Sequence, residues 1–147
     1  MIRRVLLAAV AGLAMLGGGC TSGEGGGGVT VKHDEQLSQQ LRDLSERGGT
    51  ARLADLTDFR WDQVHVFSEG ATAKEVEQVV GKPVLDGNRY YDAGNLLVFM
   101  DGGNVTAALS VLPDLLVTGG EHTWGSDTVL QPRTEGRPSA LRLTKPS

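Results

Sequence analysis

The chain has 147 residues, with 18 acidic against 14 basic side chains, a formal charge of −4 and a mean hydropathy of −0.15. That length suits one domain, and the acidic balance argues against nucleic-acid binding and against adhesion of the folded part to anionic lipid by bulk charge. One cysteine excludes an internal disulfide, and no C-x-x-C pair exists to hold a metal or carry dithiol chemistry.

That cysteine, Cys20, closes the stretch LLAAVAGLAMLGGGC. Arg3 and Arg4 precede an uncharged run from Val5 to Leu16, the charge pattern and length of a secretory leader and too short to span a bilayer. The small residues Gly17, Gly18 and Gly19 before Cys20 resemble a bacterial lipobox, whose cysteine is linked to diacylglycerol and becomes the first mature residue; Gly17 stands where leucine is customary. Lipidation consumes the thiol, which accounts for an exported chain with one cysteine and no partner for it. The expected organisation is a leader at 1–19, a glycine-rich tether at 20–31, a folded domain at 32–131 and an extended C-terminal tail at 132–147. Loss of the leader removes two arginines and leaves a formal charge of −6. Two or more acyl chains on Cys20 would anchor the domain stably on the outer face of the cell membrane.

Beyond the tether, Leu37, Leu41 and Leu44 recur at i, i+4 and i+7, predicting a first helix that Asp34 and Glu35 open and Gly48 and Gly49 close. FRWDQVHVF reads as a strand, with Trp61, His65 and Phe67 on one face, Val64 and Val66 on the other, and both faces covered. A second helix follows: Thr72 and Glu75 form a capping box, Val76, Val79 and Val80 the buried stripe, and Gly81 and Pro83 the stop. NRYYDA, NLLVFMD and NVTAALSVL then suggest an antiparallel meander with a turn at Asp101–Asn104. From Pro113 onward, TVLQPR and ALRLTKP read either as short strands or as extended chain interrupted by Pro132, Gly136 and Pro138.

Little of this sequence has the spacing that catalysis or metal binding requires. His33, His65 and His122 lack a second ligand at metal-binding spacing, so no metal and no cofactor is expected. No G-x-S-x-G elbow surrounds a serine, and the glycine-rich stretches lack the strand-to-helix setting of a phosphate loop. GEHTWGSD gathers Glu121, His122, Ser126 and Asp127, and a small hydrolase is the alternative it allows if those groups converge. A carrier of a small apolar ligand between helices and sheet is a further alternative. With only seven aromatic residues in the chain, Tyr90, Tyr91 and Trp124 are the candidate binding surface. The tyrosines alternate faces, leaving one of them exposed beside Arg89; Trp124 is either an exposed anchor or a cap on the open side of the core.

The segment Phe59–Gly81, with its W-D-x-V-x-V-F strand, turn and glycine-terminated helix, resembles a motif of small lipoproteins of Gram-positive bacteria. Gly70–Val111 is similar to the helix-sheet unit of the BamE-like (SmpA/OmlA) proteins and β-lactamase inhibitory proteins, through Gly70, Thr72, Val76, Gly81, Pro83 and a tyrosine at 90 or 91. The resemblance implies an α+β fold, two helices packed on a small antiparallel sheet, and a binding role without a catalytic centre. Together these readings lead to the expectation of a lipid-anchored, non-enzymatic module with an envelope protein as its partner.

Overall fold

The computed structural model describes residues 29–87 and 90–147; the expected leader, Cys20 and Arg89 lie outside them. In chain order the elements are β1 (Lys32–His33), α1 (Glu35–Glu46), β2 (Ala51–Arg52), a 3-10 turn (Leu53–Leu56), β3 (Gln63–Phe67), α2 (Ala73–Val80), β4 (Asn95–Asp101), β5 (Asn104–Val111), β6 (Leu116–Val117), β7 (Thr123–Gly125), β8 (Val129–Pro132) and β9 (Leu141–Thr144).

The fold is α+β with two helices, but the expected single antiparallel sheet is replaced by two mixed ones, ordered β1-β5-β4-β3-β7 and β2-β8-β9-β6. The parallel pairs are β1 with β5 and β6 with β9. Both faces of the five-stranded sheet are buried. Val64, Val66, Leu97 and Phe99 meet α1 and the second sheet through Leu41, Leu44, Leu130 and Leu141, while Phe67, Leu96, Val98 and Met100 meet α2 through Val76 and Val80. At roughly 1.5–3 kcal/mol for each large apolar side chain, this two-faced burial is the main stabilising contribution. Trp61 joins Val64 and Val66 and not Phe67, because it precedes β3 and escapes the strand's alternation.

Both helices begin and end where their caps dictate. Asp34 accepts from the Leu37 amide at 2.8 Å at the start of α1. For α2, the Thr72 hydroxyl accepts from the Glu75 amide at 3.2 Å, and the Glu75 carboxylate accepts from the Thr72 amide at 2.7 Å. The β4–β5 hairpin turns on Gly102 and Gly103, whose φ angles of 58° and 81° suit a two-residue turn between the paired Asp101 and Asn104. The described residues of NRYYDA, Tyr90 to Ala93, contribute no strand of the meander; their one bridge is from Tyr90 to Thr72.

The segment expected to be a tail is structural. β9 is an inner strand of the second sheet, between β8 and β6, with Leu141 and Leu143 buried. Alternation of these leucines with exposed Arg142 provides the inward face; Pro138 falls outside the paired residues, and Pro132 ends β8 opposite Leu141. At the other boundary, Val29 and Val31 already pack against the α2 side of the core, ahead of the expected start at Lys32.

Candidate functional site

The end of β3, the turn after it, Glu75, Gln78 and Val79 of α2, and His122 line a cleft of about 330 Å³. Phe67, Ala71 and Val79 supply its apolar surface; Ser68, Glu69, Glu75, Gln78 and His122 supply the polar part, and no lysine or arginine lines it. His122 forms one wall, its ring stacked on Phe67 with centroids 5.1 Å apart. Its Nδ1 lies 3.0 Å from the Val66 carbonyl oxygen, which can only accept, so Nδ1 carries the proton. Nε2 of the neutral ring is then left without that proton.

Behind this wall His65 is buried, with Nδ1 2.9 Å from the Thr123 hydroxyl. Burial, reinforced by the charge that His122 gains on protonation, holds the His65 pKa below its ordinary value. The Glu75 carboxyl is also held below its usual range, first by the Thr72 amide and hydroxyl and to a lesser degree by His122. Among the described residues no group of three or more His, Cys, Asp or Glu side chains is placed to hold a metal ion. Nor is any helix among them long and apolar enough to cross a membrane.

The residues of the expected binding surface separate. Tyr90 is 71% exposed, whereas Tyr91 is buried among the α2-side apolar residues. Backbone bonds explain the division: the Tyr91 amide donates to the Ala71 carbonyl at 2.8 Å, and its own carbonyl accepts from Gly70 at 2.7 Å. Tyr91 is therefore held inward, and Tyr90 stands outward beside the segment that lines the cleft. Trp124 is no exposed anchor. It sits on β7, pairs with Val64 and is buried in the core between the sheets. Of its two sequence readings the core one holds, because β7 is drawn into the sheet against β3.

The acids of GEHTWGSD do not gather around His122. Glu121 pairs with Lys145 at 2.8 Å, and Lys145 Nζ stands 5.9 Å from the Trp124 ring centre. The Ser126 amide donates to the Asp62 carbonyl at 3.1 Å. Only His122 of this group reaches the cleft, where its neighbours are Phe67 and Glu75. The Phe67–His122 contact was missed in the sequence because 55 positions separate the two rings. A second depression, about 580 Å³, runs along Pro113, Asp114 and Leu116–Gly119 to Arg133. Comparison with protein-family models, curated proteins and solved structures finds no match.

Proposed function

We propose that the chain is an exported protein, lipid-anchored at Cys20, that acts as a non-enzymatic binding module for an envelope protein. The observation that carries this reading is the acidic, partly apolar cleft with exposed Tyr90 at its side. An aromatic residue displayed next to a concave apolar surface has the features of an interface anchor. With Glu69 and Glu75 on the lining and no cation among its residues, the cleft favours a partner segment in which an apolar side chain neighbours a basic one. The leader, the cysteine after three glycines and the glycine-rich tether support the anchor. The likeness of Gly70–Val111 to the BamE-like unit, carried by Gly70, Thr72, Val76, Gly81 and Pro83, agrees with a binding role.

A photocrosslinking amino acid placed at Tyr90 in the full chain, expressed in its host, tests the site. The expected result is a discrete protein adduct that Glu69→Lys abolishes while the variant remains folded. An adduct indifferent to Glu69→Lys, or none at Tyr90, refutes the site. For the anchor, Cys20→Ala should release the protein from the membrane fraction or leave it unprocessed; unchanged maturation and membrane association would refute lipidation.

A further inference from the structure

We infer that the outer face of the second sheet holds a phosphate group between Arg133 and Arg142. The strand register places the two side chains together. Leu130, Pro132, Leu141 and Leu143 are buried toward the core, so the residues that alternate with them point outward. Gln131 pairs with Arg142, and the Arg133 amide donates to the Ala140 carbonyl at 3.1 Å, which continues the ladder past Pro132. Arg133 and Arg142 are therefore diagonal neighbours on adjacent strands, about 7–8 Å apart where their side chains begin. β6 adds Val117 to the same face, opposite Arg142.

Long side chains at that separation reach a common point, and these two share a depression of about 370 Å³ with Val117, Thr118, Gly119 and Leu143. No acidic residue lines it. Both arginines are exposed, and neither forms an ion pair among the described residues. Like charges so placed repel, and a bound anion turns that repulsion into a shared attraction. The surrounding charges leave the excess local to this pair. Glu69 and Asp114 line the larger depression that Arg133 also borders, without pairing with it, and Glu135 lies on the exposed turn before β9, outside the lining. Lys145, just after β9, is committed to Glu121. At the other end of the face Arg52 stands opposite Val129, with Asp127 two positions before that partner.

The donors define the ligand's chemistry. Each guanidinium offers a planar fork of N–H groups and no acceptor. One fork matches the two oxygens of a carboxylate, whereas two forks converging on one point match a phosphate, whose further oxygens accept from the second. The Thr118 side chain and exposed Val117 border the same space, supplying a hydroxyl donor and an apolar contact for the organic part of a phosphate ester. The cleft lined by Glu69 and Glu75 favours the opposite charge, so the two sites take different ligands.

The full-length protein in micelles of a neutral detergent, isotope-labelled at arginine and followed by NMR, tests the site. Glycerol phosphate should shift the Nε–Hε signals of Arg133 and Arg142 together and saturably and leave Arg52 unmoved, while acetate at the same concentration should shift none of them. Arg133→Gln and Arg142→Gln, each with the circular dichroism of the parent, should weaken the binding about tenfold. Phosphatidylglycerol added to the micelles separates the sources of the phosphate: a response to the soluble ester assigns the site to a free phosphate ester, and a response to the lipid alone assigns it to a headgroup. No saturable shift with either probe, an equal response to acetate, or binding unchanged in both variants overturns the site.

Discussion

His122 lies nearly flat on Phe67, the ring planes 22° from parallel, while its Nδ1 donates to the carbonyl of Val66, the residue just before Phe67. One side chain thus holds the 121–122 segment to the end of β3 by two contacts, and it forms the wall of the cleft. His122→Ala should cost about 1–3 kcal/mol, the sum of a hydrogen bond and a stacked pair. His122→Phe keeps the stacking and should lose only the hydrogen-bond part. Urea denaturation of the three proteins checks both values.

Burial of His65 predicts a pH dependence of stability. Its pKa in the fold is below the ordinary 6.5, so beneath that pH the unfolded chain takes up the proton first. Stability is therefore complete above pH 6.5 and falls as the pH drops toward the lower, folded-state pKa. The melting temperature should be lower at about pH 5.5 than at about pH 7.5, and His65→Gln should flatten the difference. Thermal unfolding across that range provides the measurement.

Trp124 and Tyr90 should respond oppositely to truncation. Trp124→Ala removes a buried ring from between the sheets and should cost about 3–5 kcal/mol. The indole nitrogen is buried without a hydrogen-bond partner, so Trp124→Phe gives up no such bond and should be milder. Tyr90→Ala, at an exposed position, should change stability by less than about 0.5 kcal/mol. Chemical denaturation separates the three.

Gly94 admits no side chain. Its φ is 103°, and a Cβ there would lie 2.1 Å from the Val111 carbonyl oxygen at the end of β5. Gly94→Ala must displace that strand end, and a loss above about 3 kcal/mol is expected, with reduced yield of folded protein as the first sign.

The capping box of α2 offers a smaller test. Thr72→Ala removes the hydroxyl that accepts from the Glu75 amide and should cost about 1 kcal/mol. It also removes one of the bonds that hold the Glu75 carboxyl below its usual range, so the Glu75 pKa should rise, as followed by carboxyl carbon chemical shifts in NMR.

Local chemistry was legible in the sequence wherever one short segment contains the whole signal. Thr72, Glu75 and Gly81 delimit α2, Asp34 opens α1, and Asp101–Asn104 closes a hairpin, all from residues a few positions apart. Of the second sheet, β8 and β9 were visible as TVLQPR and ALRLTKP, one of two readings of those segments, while β2 and β6 have no such signature. β2 and β6 are two residues long, which is too short for alternation to register, and β6 finds its partner in β9 some twenty-five positions later. Trp124 was ambiguous for the same reason: its three-residue strand lies among glycines, and only pairing with β3 decides where the ring goes. The cleft depended on both kinds of information. Its α2 side was readable from the capping box, whereas the contact of His122 with Phe67 follows from β7 docking on β3. The alternation of Tyr90 and Tyr91 was visible, but only the backbone bonds of Tyr91 to Gly70 and Ala71 decide which ring is exposed.

The inner position of β9 also sets the order of events when the chain is made. β8 cannot gain its second neighbour, nor β6 its only one, until Leu141–Thr144 has been synthesised, because both strands pair with that segment. Nor can Leu141 and Leu143 complete the apolar layer behind the five-stranded sheet before then. A ribosome-bound chain ending before residue 141 therefore retains an open second sheet. The last strand of the second sheet closes the structure.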